Sequence, residues 1–435
     1  MARQFLKSAT GLAPEDRGDT SDIVQVMLAR IKAGGEQAAR EYAVKLDGWE
    51  GDVVVSAEQI AAAIALVPEA VKDDIRYAHE NIRNFAEAQL ASISEFETEL
   101  RPGLFTGQRL LPLKAAGCYV PGGRYSHIAS ALMTITTARV AGVADVTACS
   151  PPRPGIGIPA PILFAMDLAG ADRILAMGGV QGVAAMAQGL FGAKPADILV
   201  GPGNQFVAEA KRQMFGPVGI DMFAGPTDSM VLADSTADPE MVAWDLIGQA
   251  EHGYNSPVWL ATTDRDLAQA VMAHVPYCLA ELPEPNRSNA KAAWEALGEV
   301  ILCEDREEMA QVADEYAPEH LHVQAADLEW WLGRLASYGS LFLGEETTVP
   351  FGDKASGPNH VLPTDRAARY TGGLSVHKFL KTVTWQRVER QALPDLARVS
   401  ASISRHEGME GHARSAEIRL EKFFPPLKLA AGGEG

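Results

Sequence analysis

The stretch Ala115-Ala-Gly-Cys-Tyr-Val120, followed by Pro121-Gly122-Gly123, decides how this chain of 435 residues folds. The apolar run has the length of a buried strand, and the Pro-Gly-Gly turn ends it. A helical stretch follows over residues 129–141. The same order of strand, glycine- or proline-rich turn and helix recurs, with strands at residues 145–149, 173–177 and 197–200. Such alternation predicts parallel strands with covering helices, a doubly wound α/β domain.

A second alternating set of strands and helices lies downstream, with its strands at residues 230–233, 258–262, 300–303 and 340–343. We therefore predict two Rossmann-like doubly wound domains, one inserted in the other. The predicted boundaries are an N-terminal arm at 1–19, a larger α/β domain at 20–117 and 226–374, an inserted domain at 118–225 and a C-terminal arm at 375–435.

Helix signals precede the first strand. A helical pattern begins near Ile23 and is predicted to stop at Gly34-Gly35. Ser56 and Gln59 form a capping box in front of a second helix, and Pro68 opens a third that runs to about Leu90. These are expected to be amphipathic helices that pack on the core.

Composition limits the possible partners and the compartment. Lys and Arg total 38 and Asp and Glu total 56, for a net charge of −18, which argues against nucleic acid or an anionic membrane surface as partner. The four cysteines form no CxxC pair, which fits a reduced cytoplasm. No segment has the features of a signal peptide or the roughly 18 apolar residues of a membrane span. We therefore predict a cytoplasmic protein that binds a small molecule.

Three side chains lie where a dinucleotide could bind. In a parallel sheet, ligands bind at the carboxyl ends of the strands, and Tyr119, Gln181 and Asn204 follow or end predicted strands there. None of the turns is a GxGxxG, and glycine turns also end strands in folds that bind no nucleotide. From the residues alone, both readings stay open.

Metal-ligating side chains are scattered through the second half. Gln249 and His252, at i and i+3 of a predicted helix end, can point the same way. Asp353 and His412 could complete a set of nitrogen and oxygen ligands that suits Zn²⁺. A lone His is more often structural, and ligands this far apart in sequence do not define a site by spacing.

A series of motifs resembles, in order and nearly from end to end, that of the histidinol dehydrogenase family. The motifs are Tyr119-Val-Pro-Gly-Gly123, Gly201-Pro-Gly-Asn204, Asp221-Met with Ala224-Gly-Pro226, Gln249-Ala-Glu-His252-Gly, Tyr316-Ala-Pro-Glu-His-Leu321, Ser356-Gly with Asn359-His-Val-Leu-Pro363, and Glu407-Gly-Met-Glu-Gly-His412.

The resemblance implies a zinc-containing, NAD-dependent homodimer that oxidises a primary alcohol to a carboxylate in two hydride transfers. The inserted domain would bind NAD, and the larger domain would carry the catalytic and zinc residues. N- and C-terminal arms would be exchanged in the dimer, so that the C-terminal arm reaches the partner's site. By motif position, the site residues are zinc ligands Gln249, His252, Asp353 and the partner subunit's His412, NAD-binding Tyr119, Gln181 and Asn204, the base His320, and Glu319, which activates water.

Departures from the family pattern bear on the substrate. Arg124 stands where a small residue is usual, Tyr125-Ser126-His127 follows it, and Thr227-Asp228 replaces Ser-Glu. An Arg at the site would attract an anion and repel the cationic amine of histidinol. This variant is similar to the sulfopropanediol 3-dehydrogenase branch, which oxidises (R)-2,3-dihydroxypropane-1-sulfonate to (R)-sulfolactate, and the sulfonate would meet Arg124 and His127.

Other readings remain open. Arg124 could form a salt bridge or contact the NAD phosphates, and Glu407 matches a position that faces the imidazole ring in the histidinol enzymes. L-Histidinol oxidation is therefore the alternative activity, and a catalytically inactive zinc-binding homologue is a third possibility. The residues predicted to contact substrate are Arg124, His127, Thr227, Gln249, His252, His320, Asp353, Glu407 and His412.

Overall fold

The structure, a computed structural model, describes residues 3–12, 17–122, 127–222 and 225–425. Its strands are β1 (Gln4–Lys7), β2 (Phe96–Arg101), β3 (Leu104–Pro112), β4 (Ala115–Tyr119), β5 (Asp145–Ser150), β6 (Arg173–Ala176), β7 (Ile198–Val200), β8 (Gly219–Ile220), β9 (Ser229–Ala233), β10 (Val258–Thr262), β11 (Glu299–Leu302), β12 (His320–Gln324), β13 (Ser340–Leu343) and β14 (Leu380–Val388). Its α-helices are α1 (Arg17–Tyr42), α2 (Ala57–Leu66), α3 (Glu69–Ala91), α4 (Ile128–Val140), α5 (Ala160–Ala169), α6 (Gly179–Gln188), α7 (Gln205–Met214), α8 (Pro239–Ala250), α9 (Arg265–Glu281), α10 (Asn286–Leu297), α11 (Arg306–Tyr316), α12 (Leu328–Arg334), α13 (Val349–Lys354), α14 (Leu393–His406) and α15 (Glu410–Phe423).

The first sheet contains the strand that decided the fold. Its five strands are parallel and run in the order β6-β5-β4-β7-β8, as expected for strands joined by covering helices. Gly201, directly after β7, has a φ of +115°, and a β-carbon there would lie 2.0 Å from the carbonyl oxygen of Tyr119. Only glycine therefore allows the turns after β4 and β7 to approach each other this closely.

The second sheet has six strands in the order β1-β11-β10-β9-β12-β13. Strands β9 to β13 are parallel to their neighbours, and β1 pairs antiparallel with β11 at the edge. Residues 4–7, placed by the sequence in an irregular arm, are thus a strand of this sheet. Lys7 secures it by donating a hydrogen bond from Nζ to the Gly298 carbonyl at 2.6 Å.

Helix α1 packs differently from the predicted grouping. It contacts α6 and α7, and Val24, Ile31 and Tyr42 are buried in one core with Tyr119 and Leu175 of the five-stranded sheet. From the sequence, residues 20–117 were assigned to the domain of the second sheet. A helical pattern shows that one face of a helix is buried, but it does not show which sheet that face packs against. The predicted stop at Gly34-Gly35 is an interruption inside α1, where Gly35 takes φ 57° and ψ −140°.

A separate compact unit comprises residues 91–111 and the chain from 380 onward. It contains the three-stranded sheet β14-β3-β2 and the helices α14 and α15. None of these three strands was predicted from the sequence. Most residues of β2 and β14 are exposed or half-buried, so no apolar run marked them. In the described residues, no helix is both long enough and apolar enough to cross a membrane.

A buried ion pair supports the turn after β7. Lys211 and Asp221 pair with side chains that are 3% and 0% exposed, and Lys211 Nζ also donates to the Gly201 carbonyl at 2.9 Å. Asp221 accepts from the Gly201 and Met222 amides, each at 2.7 Å. The pair therefore fixes the backbone directly after β7 and directly after β8.

We expect Lys211→Met to lower the free energy of unfolding by about 3–5 kcal/mol, because it leaves a buried carboxylate without its counter-charge. Urea denaturation of the variant and of the double variant Lys211→Met/Asp221→Asn measures this. The double variant should lose less than the single one. A single variant within 1 kcal/mol of wild type would contradict the role of the pair.

Candidate active site

Glu319 and His320 lie together at the start of β12. His320 is opposite Ser229 of β9, which brings both residues beside Asp228. The Glu319 amide donates to Asp228 Oδ1 at 2.6 Å, and the His320 amide donates to the Asp228 carbonyl at 3.3 Å. Glu319 and His320 are 7% and 3% exposed. The strand pairing thus fixes a carboxylate next to an imidazole in a nearly dry site.

The surroundings of His320 select its tautomer. Nδ1 lies 3.2 Å from the Asp228 carbonyl oxygen, which can only accept, so Nδ1 carries the proton. Nε2 is then the basic nitrogen, 3.4 Å from Asp353 Oδ1, and it has no hydrogen-bond partner among the described residues. Burial lowers the pKa of His320, but the Glu319 and Asp353 carboxylates outweigh burial and raise the pKa above its usual value.

Glu319 is held by its neighbours and is harder to ionise than an ordinary glutamate. Its Oε2 accepts hydrogen bonds from the Thr227 hydroxyl and, at 3.3 Å, from the Asp228 amide. Burial and the Asp228 carboxylate raise the pKa of Glu319, against the opposing effect of His320 3.7 Å away. A carboxylate with a raised pKa is suited to exchange protons near neutral pH.

Three predicted zinc ligands lie on elements of the second sheet. Gln249 is on α8, and its Oε1 is buried without a hydrogen-bond partner among the described residues. His252 follows the end of α8. Desolvation of the ring lowers the pKa of His252, the Asp353 carboxylate opposes this shift and His320 adds to it. Asp353 is buried on α13, and His320 holds its pKa well below the usual range despite burial.

This arrangement fits the donor set predicted for zinc. A buried amide oxygen without a partner is costly unless something binds it, and Gln249 Oε1 is such an atom. The described part of the chain has no metal-binding group of three or more His, Cys, Asp or Glu. The set predicted from one chain contains only two such residues, His252 and Asp353, together with the amide of Gln249, so it would not count as a group of that kind.

Other predicted substrate and zinc residues lie in the second compact unit or outside the described residues. Arg124, predicted to contact the substrate, and its motif neighbours Tyr125 and Ser126 lie outside the described residues. Glu407 and His412 are exposed residues in the second compact unit, Glu407 just after α14 and His412 on α15.

His360 lies close to Asp353, and His127 lies close to Lys354 and His252. His127 is partly buried, and its pKa is lowered to about 4 by burial and by Lys354 and His252. Burial likewise lowers the pKa of His360 to about 4, with Asp353 opposing, and the ring lies 2.9 Å from the Ser130 hydroxyl. His360 was not among the predicted site residues, although its motif, Asn359-His-Val-Leu-Pro363, was a signal.

Two of the predicted NAD-binding residues meet at the turn after β6. Tyr119 accepts a hydrogen bond from the Gly179 amide at 3.1 Å, and Gln181 donates from Nε2 to Asp47 at 3.0 Å. Gln181 Oε1 is buried and has no hydrogen-bond partner among the described residues. Asn204 caps α7, accepting from the Phe206 and Val207 amides, each at 3.1 Å. Asp47 was missed because it ends the short π-helix Ala43–Asp47, which follows α1 and contains no binding motif.

The site thus combines a buried imidazole, a buried carboxylate beside it and a candidate metal site. Residues 13–420 match the family model of histidinol dehydrogenase. The chain belongs to the histidinol dehydrogenase family. Members of this family are in general NAD-dependent and zinc-binding, so the chain is an oxidoreductase.

Two relatives and one solved structure define the similarity. A "histidinol dehydrogenase homolog" of Ruegeria pomeroyi is 74% identical, with all of both chains covered. A sulfopropanediol 3-dehydrogenase of the same organism is 61% identical, again over all of both chains. The crystal structure of histidinol dehydrogenase from Elizabethkingia anophelis is 34% identical, covers 95% of this chain and 94% of its own, and superposes with a TM-score of 0.89. The α/β fold is therefore that of histidinol dehydrogenase.

Proposed function

We propose that this enzyme oxidises (R)-2,3-dihydroxypropane-1-sulfonate to (R)-sulfolactate in two NAD-dependent steps at a zinc site. The observation that carries the chemistry is the buried Glu319–His320 pair, in which Nε2 is the nitrogen of His320 that can accept a proton when the ring is neutral. The substrate assignment is supported by the relative of that name at 61% identity and by Arg124, a cation that matches a sulfonate.

The residues of the chain divide the proton transfers between them. His320 takes the proton from the substrate hydroxyl through Nε2, while its Nδ1–H stays fixed on the Asp228 carbonyl. Glu319 then takes a proton from the water that adds to the aldehyde, and Thr227 orients its carboxylate. When bound, zinc polarises the substrate oxygens and NAD accepts the hydrides.

The groups that bind the two cofactors come from different parts of the chain. Gln249, His252, Asp353 and the partner subunit's His412 would hold zinc, and Tyr119, Gln181 and Asn204 would contact NAD. Because family members are homodimers, we propose the same assembly here, with exchanged terminal arms. The exposed position of His412 on α15 is compatible with donation to a partner.

The substrate would be held at both ends. Arg124 and His127 are proposed to face the sulfonate, and Glu407 and the remaining zinc and catalytic residues to face the diol. Thr227 and His320 would then lie at the end of the substrate that carries the reacting carbon.

The proposal is tested by NADH formation from the sulfonated diol with the zinc-loaded dimer and with Arg124→Ala. We expect wild type to turn the diol over, and Arg124→Ala to raise KM by about 10-fold or more with a smaller change in kcat. A charge-assisted partner of a bound anion contributes about 1.5–3 kcal/mol, which supports that size of effect. An unchanged KM would give Arg124 a structural or cofactor role, and absence of turnover would contradict the activity.

One observation favours L-histidinol as a second candidate substrate. Glu407 retains the residue that faces the imidazole ring in the histidinol enzymes. A protein that binds zinc but forms no NADH from any alcohol would instead be an inactive homologue.

A further inference from the structure

A hydrogen-bond network centred on Asp245 of α8 lies beneath the site. Asp245 Oδ1 accepts from the Thr348 hydroxyl at 2.7 Å, and Oδ2 accepts from Gln324 Nε2 at 2.5 Å. His322 Nδ1 lies 3.2 Å from the same Oδ2. His322 and Gln324 are fully buried, so water does not compete for these contacts.

The His322 ring is fixed from both sides. Its Nε2 lies 2.9 Å from the Gly344 carbonyl oxygen, while Nδ1 faces Asp245. Phe342 packs against it, with ring centroids 6.3 Å apart, and the same phenyl ring lies 6.2 Å from the His320 ring. A shift of His322 would therefore be transmitted to His320 through one shared aromatic ring.

Each partner of Asp245 belongs to an element that carries a site residue. Thr348 directly precedes α13, which bears Asp353, and His322 and Gln324 are in β12, which begins with His320. Asp245 itself is four residues before Gln249, on the same face of α8. One carboxylate thus joins the three elements that present Gln249, His320 and Asp353.

We propose that Asp245 is a positioning residue that holds α8, β12 and α13 together so that the metal ligands and the base converge. This inference rests on the proposed zinc site but not on the identity of the substrate. Rigid support of this kind matters because a misplacement of about 1 Å can cost about 100-fold in rate. Outer partners of metal ligands typically affect metal affinity by about 10- to 100-fold.

The test measures zinc affinity by competition with a chromophoric chelator, together with the thermal midpoint, kcat and KM. Asp245→Ala should weaken zinc binding by about 10- to 100-fold and lower kcat more than it raises KM. Asp245→Asn keeps an acceptor oxygen and should recover part of the affinity. Thr348→Val removes only the hydrogen bond toward the helix of Asp353, so it tests the proposal even if Asp245→Ala does not fold.

Asp314→Ala is the matched control. Asp314 of α11 also joins separate segments of the chain, pairing with Arg334 of α12 at 3.0 Å and accepting from the Ala336 and Ser337 amides in the loop that follows. This control should lower the thermal midpoint without changing zinc affinity. Zinc binding by the Asp245 and Thr348 variants that is as tight as in wild type or in the control would overturn the proposal. Failure to oxidise the sulfonated diol would leave the zinc measurement valid, so the two proposals fail separately.

Discussion

His320→Asn should lower kcat for the sulfonated diol by about 100- to 10,000-fold, the usual contribution of a positioned general base. The asparagine amide can still donate toward the Asp228 carbonyl that now accepts from Nδ1, but it has no basic nitrogen in place of Nε2. Hydride can leave only as the hydroxyl proton is removed, so the first oxidation slows. Stopped-flow NADH formation measures this step directly.

The dependence on pH separates a base from a structural residue. Only the neutral imidazole can accept a proton, and the neighbouring carboxylates raise the pKa of His320. The rate of wild type should therefore increase with pH as His320 loses its proton, and His320→Asn should lack that increase. His274→Asn, at a partly buried helix position beside Tyr277, is the control and should leave kcat unchanged. A kcat of His320→Asn within a few-fold of wild type would show that another group is the base.

Glu319→Gln should stop the reaction after the first oxidation. The amide can still accept from Thr227 and from the Asp228 amide, so the fold of the site is kept. It cannot take a proton from water, so the second step should slow by about 100- to 10,000-fold. We expect one NADH per diol in the fast phase, with the aldehyde accumulating, whereas wild type should form two.

Trapping the aldehyde with a carbonyl reagent during single-turnover experiments measures this difference. Glu307→Gln is the matched control, since Glu307 is an exposed glutamate paired with Arg334 at 2.9 Å. It should form two NADH at the wild-type rate. Two NADH at an undiminished rate from Glu319→Gln would assign water activation to another residue.

Local sequence patterns predicted the parts of the fold that depend on neighbours along the chain. The run from Ala115 to Val120, the capping box at Ser56 and the helix after Pro68 all appear in the structure as β4, α2 and α3. Each signal lies within a few residues of the element that it specifies.

Features that depend on contacts between distant segments were harder to predict from the sequence. The pattern of α1 showed a buried face but not that it packs on α6 and α7, and residues 4–7 became a strand only by pairing with β11. The sequence did not reveal strand β12, because His320, His322 and Gln324 make its pattern polar although the strand is buried. These outcomes are set by tertiary contacts, which override local preference.

The residues of the candidate site also fall into two groups, those predicted from motifs and those recognised only from contacts between distant segments. Glu319, His320 and the zinc ligands were predicted from family motifs, because chemistry fixes those residue types. The roles of Asp228, Asp47 and Asp245 emerged only from hydrogen bonds between segments far apart in sequence. No spacing rule links Asp245 with Thr348.

The most direct test of the central claim is the ratio of kcat/KM for (R)-2,3-dihydroxypropane-1-sulfonate to kcat/KM for L-histidinol, measured on one zinc-loaded preparation with NAD. Buried charged pairs and unpaired polar groups discriminate between substrates by several kcal/mol, so a preference of at least about 100-fold is expected. We predict that the sulfonate is preferred and that each molecule consumed forms two NADH and one sulfolactate. Faster turnover of L-histidinol would contradict the substrate assignment.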